Sequence, residues 1–456
     1  VRFLALDTRA SLALALCCFL GLSAAVMVPR MDDKPPEHDA ELYVSYAYSL
    51  LQYGTFGPAR GGKETRPGNQ VPPGYPLFLA GLMAVDPAFK DATACFLARE
   101  KDCDLRFGNA RYVQMALGLA GILAVWLAAR RITGRTGAAH LAALAYIGGV
   151  DALETPARFF HTENIAIPLV AWIGYCLLRG MKDRHMGWMV AAGVLFGALA
   201  LTRPAFAYVG VVTALVVAVS AWWTPGRRAR VLALALAFGV AFAAVQTPWT
   251  LRNQALADDP AFAVQVGGFV LALRAAYNQM TPGEYMAAFV YWLPDFGDSL
   301  AERLFPDDAA RLDPDNPDGF RLSAAREWDR AKKANLLAEK RAEVIARLRD
   351  EPLRHLAATL PIAVRGMFPD KVSLVSVPVL LILVWLHLRR GKPELFWFAL
   401  PALLSLAFHS LLTHNLQRYG MPLIPASALA LGIALAAAVE RLAAALWARS
   451  GLVERS

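Results

Sequence analysis

Two carboxylates, Asp39 and Glu41, stand close together in the run His38-Asp39-Ala40-Glu41-Leu42-Tyr43, just beyond an apolar first segment. A carboxylate at such a place can take a proton from a hydroxyl, work that speeds a transfer by about 10²–10⁴-fold when the base is well positioned. Three arginines, Arg203, Arg252 and Arg418, fall at the ends of later apolar stretches. A guanidinium fork binds two phosphate oxygens at once. Each feature also has a plainer reading. An Asp ahead of a helix commonly caps it, and arginines at membrane edges commonly snorkel without a ligand. Glu163 opens another apolar stretch, where an acidic residue must cap, pair or function, and Arg158 is near enough in sequence to pair with it. His161 reads as a structural interfacial histidine rather than a metal ligand. Tyr419 either shares a ligand with Arg418 or belongs to an aromatic belt.

The elements that must hold these residues are membrane spans. Of 456 residues, 57% are hydrophobic and 18% charged, which is too apolar for a soluble chain of this size. Stretches near the ~17–25 residues that cross a bilayer recur. They are 10–28, 110–129, 136–153, 163–178, 187–201, 205–223, 231–248, 373–388, 395–413 and 420–439. The net charge of +9 is no sign of a nucleic-acid partner, because of where it falls. Arg2 and Arg9 precede the first span, and Arg130, Arg131 and Arg135 follow the second. Arg179, Lys182 and Arg184, then Arg227, Arg228 and Arg230, then Arg389, Arg390 and Lys392 continue the series. Every second loop is basic, which is the positive-inside pattern. Both termini are then expected in the cytoplasm, and Asp39, Glu163 and the three arginines on the extracytoplasmic side. Residues 74–86 are apolar but short, and if they crossed, the basic loops would change sides. They are expected at the interface or dipping into the outer leaflet.

The chain therefore divides into a transmembrane module, 1–248, which includes an outer loop at 29–109. A more polar, partly helical outer segment covers 249–372, and C-terminal spans with a cytoplasmic tail cover 373–456. Within 39–57, Leu42, Tyr46, Leu50 and Tyr53 recur at helical spacing with Gly54 as a stop. Asp39 stands at the start of that helix, where the dipole favours negative charge. Within 322–350, Asp329–Lys333 and Glu343–Arg347 are spaced to pair at about 0.2–0.5 kcal/mol each, and Trp328, Leu337, Val344 and Leu348 mark a buried side. Cys95 and Cys103 share the outer loop, where an oxidising compartment permits a disulfide, while Cys17, Cys18 and Cys176 lie in spans. Residues 1–28 read as a retained signal anchor rather than a cleaved signal peptide, because a polytopic chain follows. A composition rich in Ala, Arg and Leu, beginning with Val1, points to a high-GC bacterium and to its inner membrane.

The order of landmarks carries a family resemblance. Asp39, Tyr43, the Ala47-x-x-Leu50-x-x-x-Gly54 run and Pro73-Gly74-Tyr75-Pro76 look like the first outer loop of GT-C glycosyltransferases. The match is closest to the branch of protein O-mannosyltransferases and the lipid A aminoarabinose transferase. His161-Thr162-Glu163, Leu201-Thr202-Arg203-Pro204, Pro248-Trp249-Thr250-Leu251-Arg252-Asn253 and Arg418-Tyr419-Gly420-Met421-Pro422 follow in order. The resemblance covers most of the membrane part but not 256–360. It implies an all-α polytopic membrane protein, a bundle of about ten transmembrane helices with juxtamembrane helices and a small extracytoplasmic subdomain. It further implies a polyprenyl-phosphate sugar donor, an acceptor hydroxyl on a glycan, lipid or protein, and inversion at the anomeric carbon. Asp39 corresponds to the general base. Glu41, Tyr43, His161, Glu163, Arg203, Arg252, Asn253, Arg418 and Tyr419 are the substrate-binding candidates. Glu41 departs from the family's directly adjacent acidic pair, and Asp32-Asp33 come too early to replace it. The branch requires no cofactor; a divalent ion, Mg²⁺ or Mn²⁺, would fall to Asp39 and Glu163.

Two other readings stay open. A transporter or flippase of a lipid-linked substrate would place ionisable residues at mid-membrane in repeated halves, and neither is evident here. An O-antigen polymerase or ligase fits the Asp39-to-Gly54 spacing less well. No zinc, P-loop, dinucleotide or hydrolase motif occurs in a usable context. The sequence names neither sugar nor acceptor.

Overall fold

The computed structural model describes residues 9–30, 35–59, 63, 66–100, 102–103, 107, 109–149, 158–224, 226–257 and 267–449. Within them the protein is all-helical. Helix α1 (Arg9–Met27) leads to α2 (Asp39–Tyr53), α3 (Gly74–Val85) and α4 (Pro87–Ala98). Then come α5 (Ala110–Thr133), α6 (Thr136–Gly148), α7 (Glu163–Asp183), α8 (Met186–Thr202), α9 (Ala205–Val219) and α10 (Arg228–Ala257). A run of shorter helices follows: α11 (Gly267–Ala276), α12 (Pro282–Tyr291), α13 (Gly297–Leu304), α14 (Phe320–Lys333), α15 (Leu337–Asp350) and α16 (Pro352–Met367). Helices α17 (Ser373–Arg389), α18 (Glu394–Leu412) and α19 (Ile424–Arg449) complete the described chain.

Among the described residues, six helical segments are long and apolar enough to cross a membrane: Ala110–Thr133, Glu163–Asp183, Ala205–Trp223, Arg228–Leu256, Glu394–Leu412 and Gln417–Leu446. The chain is an integral membrane protein. Helices α8 and α17 have 17 residues each, about 25 Å of rise against a hydrocarbon core of roughly 30 Å. The stretch 136–153 is helical through Gly148, and its last residues lie outside the described ones, as do Arg2, Asp32 and Asp33. Helices α5, α7, α8, α18 and α19 share one core, with Ile122, Val170, Phe196, Phe398 and Leu429 buried in it. Lipid is as apolar as these side chains, so close packing rather than hydrophobicity joins the helices.

The basic loops gather at one end of this bundle. Arg131 pairs with Asp183, Lys182 pairs with Glu394 at 3.2 Å, and Arg230 donates to the Arg184 carbonyl at 2.8 Å. The start of α7 and the end of α8 therefore lie at the other end.

Three local features differ from the sequence reading. Helix α10 does not stop at 248: it runs through Pro248 to Ala257, with the Thr247 and Thr250 hydroxyls bonded to carbonyls one turn back at 2.7 and 3.2 Å. Arg252 and Asn253 are therefore helical. The 322–350 segment is two helices, broken where Asn335 turns left-handed at φ 59°. Across that break Trp328 and Val344 are buried together, with Leu337 and Leu348 packed on them. Glu343 pairs with Arg347 at 2.8 Å; among the described residues Asp329 and Lys333, both exposed in the last turns of α14, do not pair. Helix α3, at 12 residues, is too short to cross and packs on α2, α4 and α8. Cys95 and Cys103 form a disulfide.

Candidate active site

Asp39 is the first residue of α2 rather than its cap. His38 occupies the cap position at φ 52°, with no side-chain capping bond, a backbone conformation that costs a non-glycine residue about 1–3 kcal/mol. The Asp39 carboxylate instead accepts from Arg418 Nη2 at 3.2 Å. Behind it, Ala40, Val44 and Ala47 bury one face of α2 against Tyr75, Leu79 and Met83 of α3. Gly54 ends the helix at φ 67°, its N–H donating to the Leu50 carbonyl at 3.0 Å.

Helix α3 in turn rests on the end of α8. A Cβ at Gly74 would stand 2.9 Å from the Leu201 carbonyl carbon, so only glycine permits this approach. Pro204 then blocks continuation of α8, and Arg203 leaves the helix extended, at φ −137°. Its Nη1 donates to Glu163 Oε1 at 3.2 Å, in a pair whose side chains are 9% and 4% exposed. Glu163 opens α7, where the helix dipole favours a carboxylate, and its Oε2 accepts from the Thr162 hydroxyl at 3.1 Å. Glu163 thus pairs with Arg203, while Arg158 lies over Phe159.

Tyr419 links the two ion pairs. The Arg203 and Arg418 guanidiniums lie 5.4 and 5.6 Å from its ring centre, within cation–π range. Tyr43, one turn into α2, is held above the usual phenol range by burial first, then by the Asp39 and Glu163 charges. It is a neutral hydrogen-bond donor at any physiological pH. Its ring meets Tyr75 edge-on at 5.2 Å. The Tyr75 hydroxyl donates to Gln114, which also accepts from Asn164 at 2.8 Å, so α2, α3, α5 and α7 are tied together behind Glu163. The His161 ring stacks on Phe159 at 5.1 Å. Burial, with Arg418 and Arg203 nearby, lowers its pKa against the opposing pull of Glu163 and Asp39.

Asp39, Tyr43, His161, Glu163, Arg203, Arg418 and Tyr419 therefore converge. Three candidates do not join them. Glu41 is exposed. Arg252 donates to the carbonyls of Phe56 and Gly68, both at 3.1 Å, and lies 4.6 Å from the Trp249 ring. Asn253 is buried and accepts from Arg252 at 3.2 Å. This pair clamps the loop after α2 instead of facing the centre. A divalent ion does not fit the residues present. Asp39 and Glu163 each already face a guanidinium, and among the described residues no three His, Cys, Asp or Glu side chains group as ligands.

Other residues shape the site without having stood out in the sequence. Arg365 of α16 donates to the Tyr277 hydroxyl at 3.0 Å and the His414 carbonyl at 3.3 Å. Beside it, Gly420 lies flush on Gly366, where any Cβ would overlap the Gly366 carbonyl oxygen. That contact seats the segment carrying Arg418 and Tyr419 on the end of α16. His409 packs on Tyr419 at 4.9 Å. The available signal was Arg365 falling on the same stripe as Ala358 and Ile362, both buried.

The family model for dolichyl-phosphate-mannose-protein mannosyltransferase matches residues 106–249. No curated protein matches by sequence. Among solved structures, ArnT from Cupriavidus metallidurans bound to undecaprenyl phosphate aligns with a TM-score of 0.50 at 16% identity, over 92% of this chain and 60% of that one. The archaeal oligosaccharyltransferase AglB from Archaeoglobus fulgidus, in complex with an inhibitory peptide and a dolichol-phosphate, aligns with a TM-score of 0.51 at 13% identity, over 97% and 52%. The fold is that of the GT-C glycosyltransferases. The chain spans a little over half the length of these two GT-C proteins. The convergent cluster lies on the helix ends away from the basic loops, and α11–α16 fall in sequence between the membrane-length segments Arg228–Leu256 and Glu394–Leu412.

Proposed function

We propose that the protein is an inverting glycosyltransferase that moves a sugar from a polyprenyl phosphate to an acceptor hydroxyl. The reaction takes place at the extracytoplasmic face of a bacterial inner membrane, with both termini in the cytoplasm. The observation that carries this reading is the Asp39 carboxylate held by Arg418 at 3.2 Å, at the bundle end away from the basic loops of a GT-C fold. The lipid phosphates bound by ArnT and AglB support the donor class, and the positive-inside rule supports the face.

In this mechanism Asp39 accepts the proton of the acceptor hydroxyl as that oxygen attacks the anomeric carbon from the side opposite the phosphate. The carbon–oxygen bond to phosphate breaks, and its electron pair leaves on the polyprenyl phosphate. Arg418 and Arg203, flanking Tyr419, stabilise the charge that develops there. Arg418 Nε has no partner among the described residues, so this guanidinium holds a donor in reserve. Glu163 fixes Arg203, and Tyr43 offers a hydroxyl proton to the same region. A cavity of about 380 Å³ between α9 and α10, lined by Val211, Leu215, Phe242, Ala243 and Gln246, has no charged lining residue. It suits an apolar chain and not the chemistry.

The test is Asp39→Asn in purified protein, with undecaprenyl-phosphate sugars as donors and an envelope extract as acceptor. Transfer should fall by about 10²–10⁴-fold while donor binding and the unfolding midpoint hold. Undiminished transfer would move the base to Glu163 or Glu41. Passage of the lipid-linked sugar across vesicles without transfer would establish transport instead.

A further inference from the structure

Charges at the Asp39 centre balance, since Arg418 faces Asp39 and Arg203 faces Glu163. Across the Gly366–Gly420 contact they do not. Arg365 is 5% exposed, and among the described residues it makes no ion pair. Its Nη1 is held only by two neutral oxygens, those of Tyr277 and His414. Leaving a buried charge without a counter-ion is strongly unfavourable. Arg274 is held differently. That side chain is fully buried too, but its Nε, Nη1 and Nη2 all find acceptors, on Ser410, Asn278, His355 and Thr359, at 2.8–2.9 Å. Arg274 is a finished structural tie, and Arg365 is not.

A second guanidinium lies nearby. Arg321, half-buried in the first turn of α14, makes no hydrogen bond or ion pair among the described residues. The ring of Phe320, the residue before Arg321, lies 5.2 Å from that of Tyr277, whose hydroxyl accepts from Arg365; burial first, then the charges of Arg365, Arg321 and Arg418, press the His414 pKa down to about 3. Two buried polar atoms in this group also lack partners among the described residues, His414 Nδ1 and Trp292 Nε1. The Arg365 guanidinium sits 5.0 Å from the Trp292 ring centre. The carboxylates of Asp298, Glu302 and Asp313 act on Tyr291, as does Arg365, but none of them pairs with Arg365.

We propose that Arg365, Arg321, His414 and Trp292 form a subsite for a phosphate group carried by the acceptor. This rests on the glycosyltransferase reading and deepens it by naming the acceptor's chemistry. Two guanidiniums match the roughly −1.5 to −2 charge of a phosphate monoester, and each fork engages two oxygens. The donor phosphate belongs beside Asp39, at Arg203 and Arg418. Arg365, Arg321 and Trp292 come instead from the segment 277–367, whose helices are not of membrane length and which a water-borne or headgroup-borne acceptor meets first.

The full chain in lipid nanodiscs is titrated with maltose 1-phosphate, with maltose and with undecaprenyl phosphate. The wild type should bind maltose 1-phosphate at least about tenfold more tightly than maltose. Arg365→Gln should erase that preference, Arg365→Lys should keep part of it, and neither should alter undecaprenyl phosphate binding. Equal binding of the two sugars by the wild type, or an intact preference in Arg365→Gln, would overturn the proposal. Weakened undecaprenyl phosphate binding with the sugar preference retained would assign these cations to the donor and likewise overturn it. Should Arg365→Gln fail to fold, Arg321→Gln decides, because its side chain holds nothing in place: a preference reduced about threefold supports the subsite, and an unchanged one overturns it. Failure of the glycosyltransferase reading has a different signature, wild-type protein that does not bind undecaprenyl phosphate or does not depend on Asp39.

Discussion

The two ion pairs at the centre differ in burial, and so in what they do. In Asp39–Arg418 the side chains are 50% and 37% exposed, and such a pair contributes only about 0–1 kcal/mol. Such a pair opens at little cost, as the proposed chemistry requires. In Glu163–Arg203 both are nearly inaccessible, and removing one partner of such a pair leaves a stranded charge at a cost of about 3–5 kcal/mol. Glu163→Gln and Arg203→Gln should therefore each lower the unfolding midpoint, and the double variant should recover part of the loss. Asp39→Asn and Arg418→Gln should barely move it. Additive losses in the double variant would show that the buried pair is not coupled. These four residues were legible in the sequence because each stands at an element border beside a motif residue. Glu41 and Arg252 stood at similar borders, but one faces solvent and the other spends its donors on loop carbonyls. Arg365 was missed because an arginine in an amphipathic helix reads as exposed. Its partners, Tyr277 and His414, come from 88 and 49 residues away.

Among the elements, α3 carries most of the positioning, since it joins α2, which bears Asp39, to the end of α8, which bears Arg203. Gly74 makes that seat possible. Gly74→Ala should destabilise by about 1–3 kcal/mol through overpacking against the Leu201 backbone. Gly81→Ala in the same helix meets nothing within 4 Å and should be neutral or stabilising by up to about 1 kcal/mol. Equal midpoints for the two variants in thermal unfolding would remove Gly74 from this role. The sequence marked α3 as too short to cross, from its length and from the alternation of the basic loops. It also gave α2 its start and its glycine stop. It did not show α10 running through Pro248, because proline and polar residues together read as an end. Nor did it show the break at Asn335, because nothing local demands a left-handed turn there.

For the molecule as a whole, basic loops at one end and the convergent cluster at the other define a polarity. The Cys95–Cys103 disulfide gives that polarity a direct test. With Cys17, Cys18 and Cys176 replaced by Ala, a maleimide that cannot cross membranes should label intact cells only after reduction, because an oxidising compartment keeps the bridge closed. Labelling confined to lysed cells would reverse the proposed orientation. The same polarity gives the Asp39–Arg418 contact, which closes a sequence separation of 379 residues, a meaning during biogenesis. At ribosomal rates of about 5–20 residues per second, Arg418 is made roughly 20–75 s after Asp39. Glu163 and Arg203, 40 residues apart, can meet within seconds. The emerging polypeptide therefore secures its interior pair early and closes the Asp39–Arg418 contact almost last, so that, on the proposed reading, a stalled or truncated product lacks the arrangement that would act on a lipid-linked sugar.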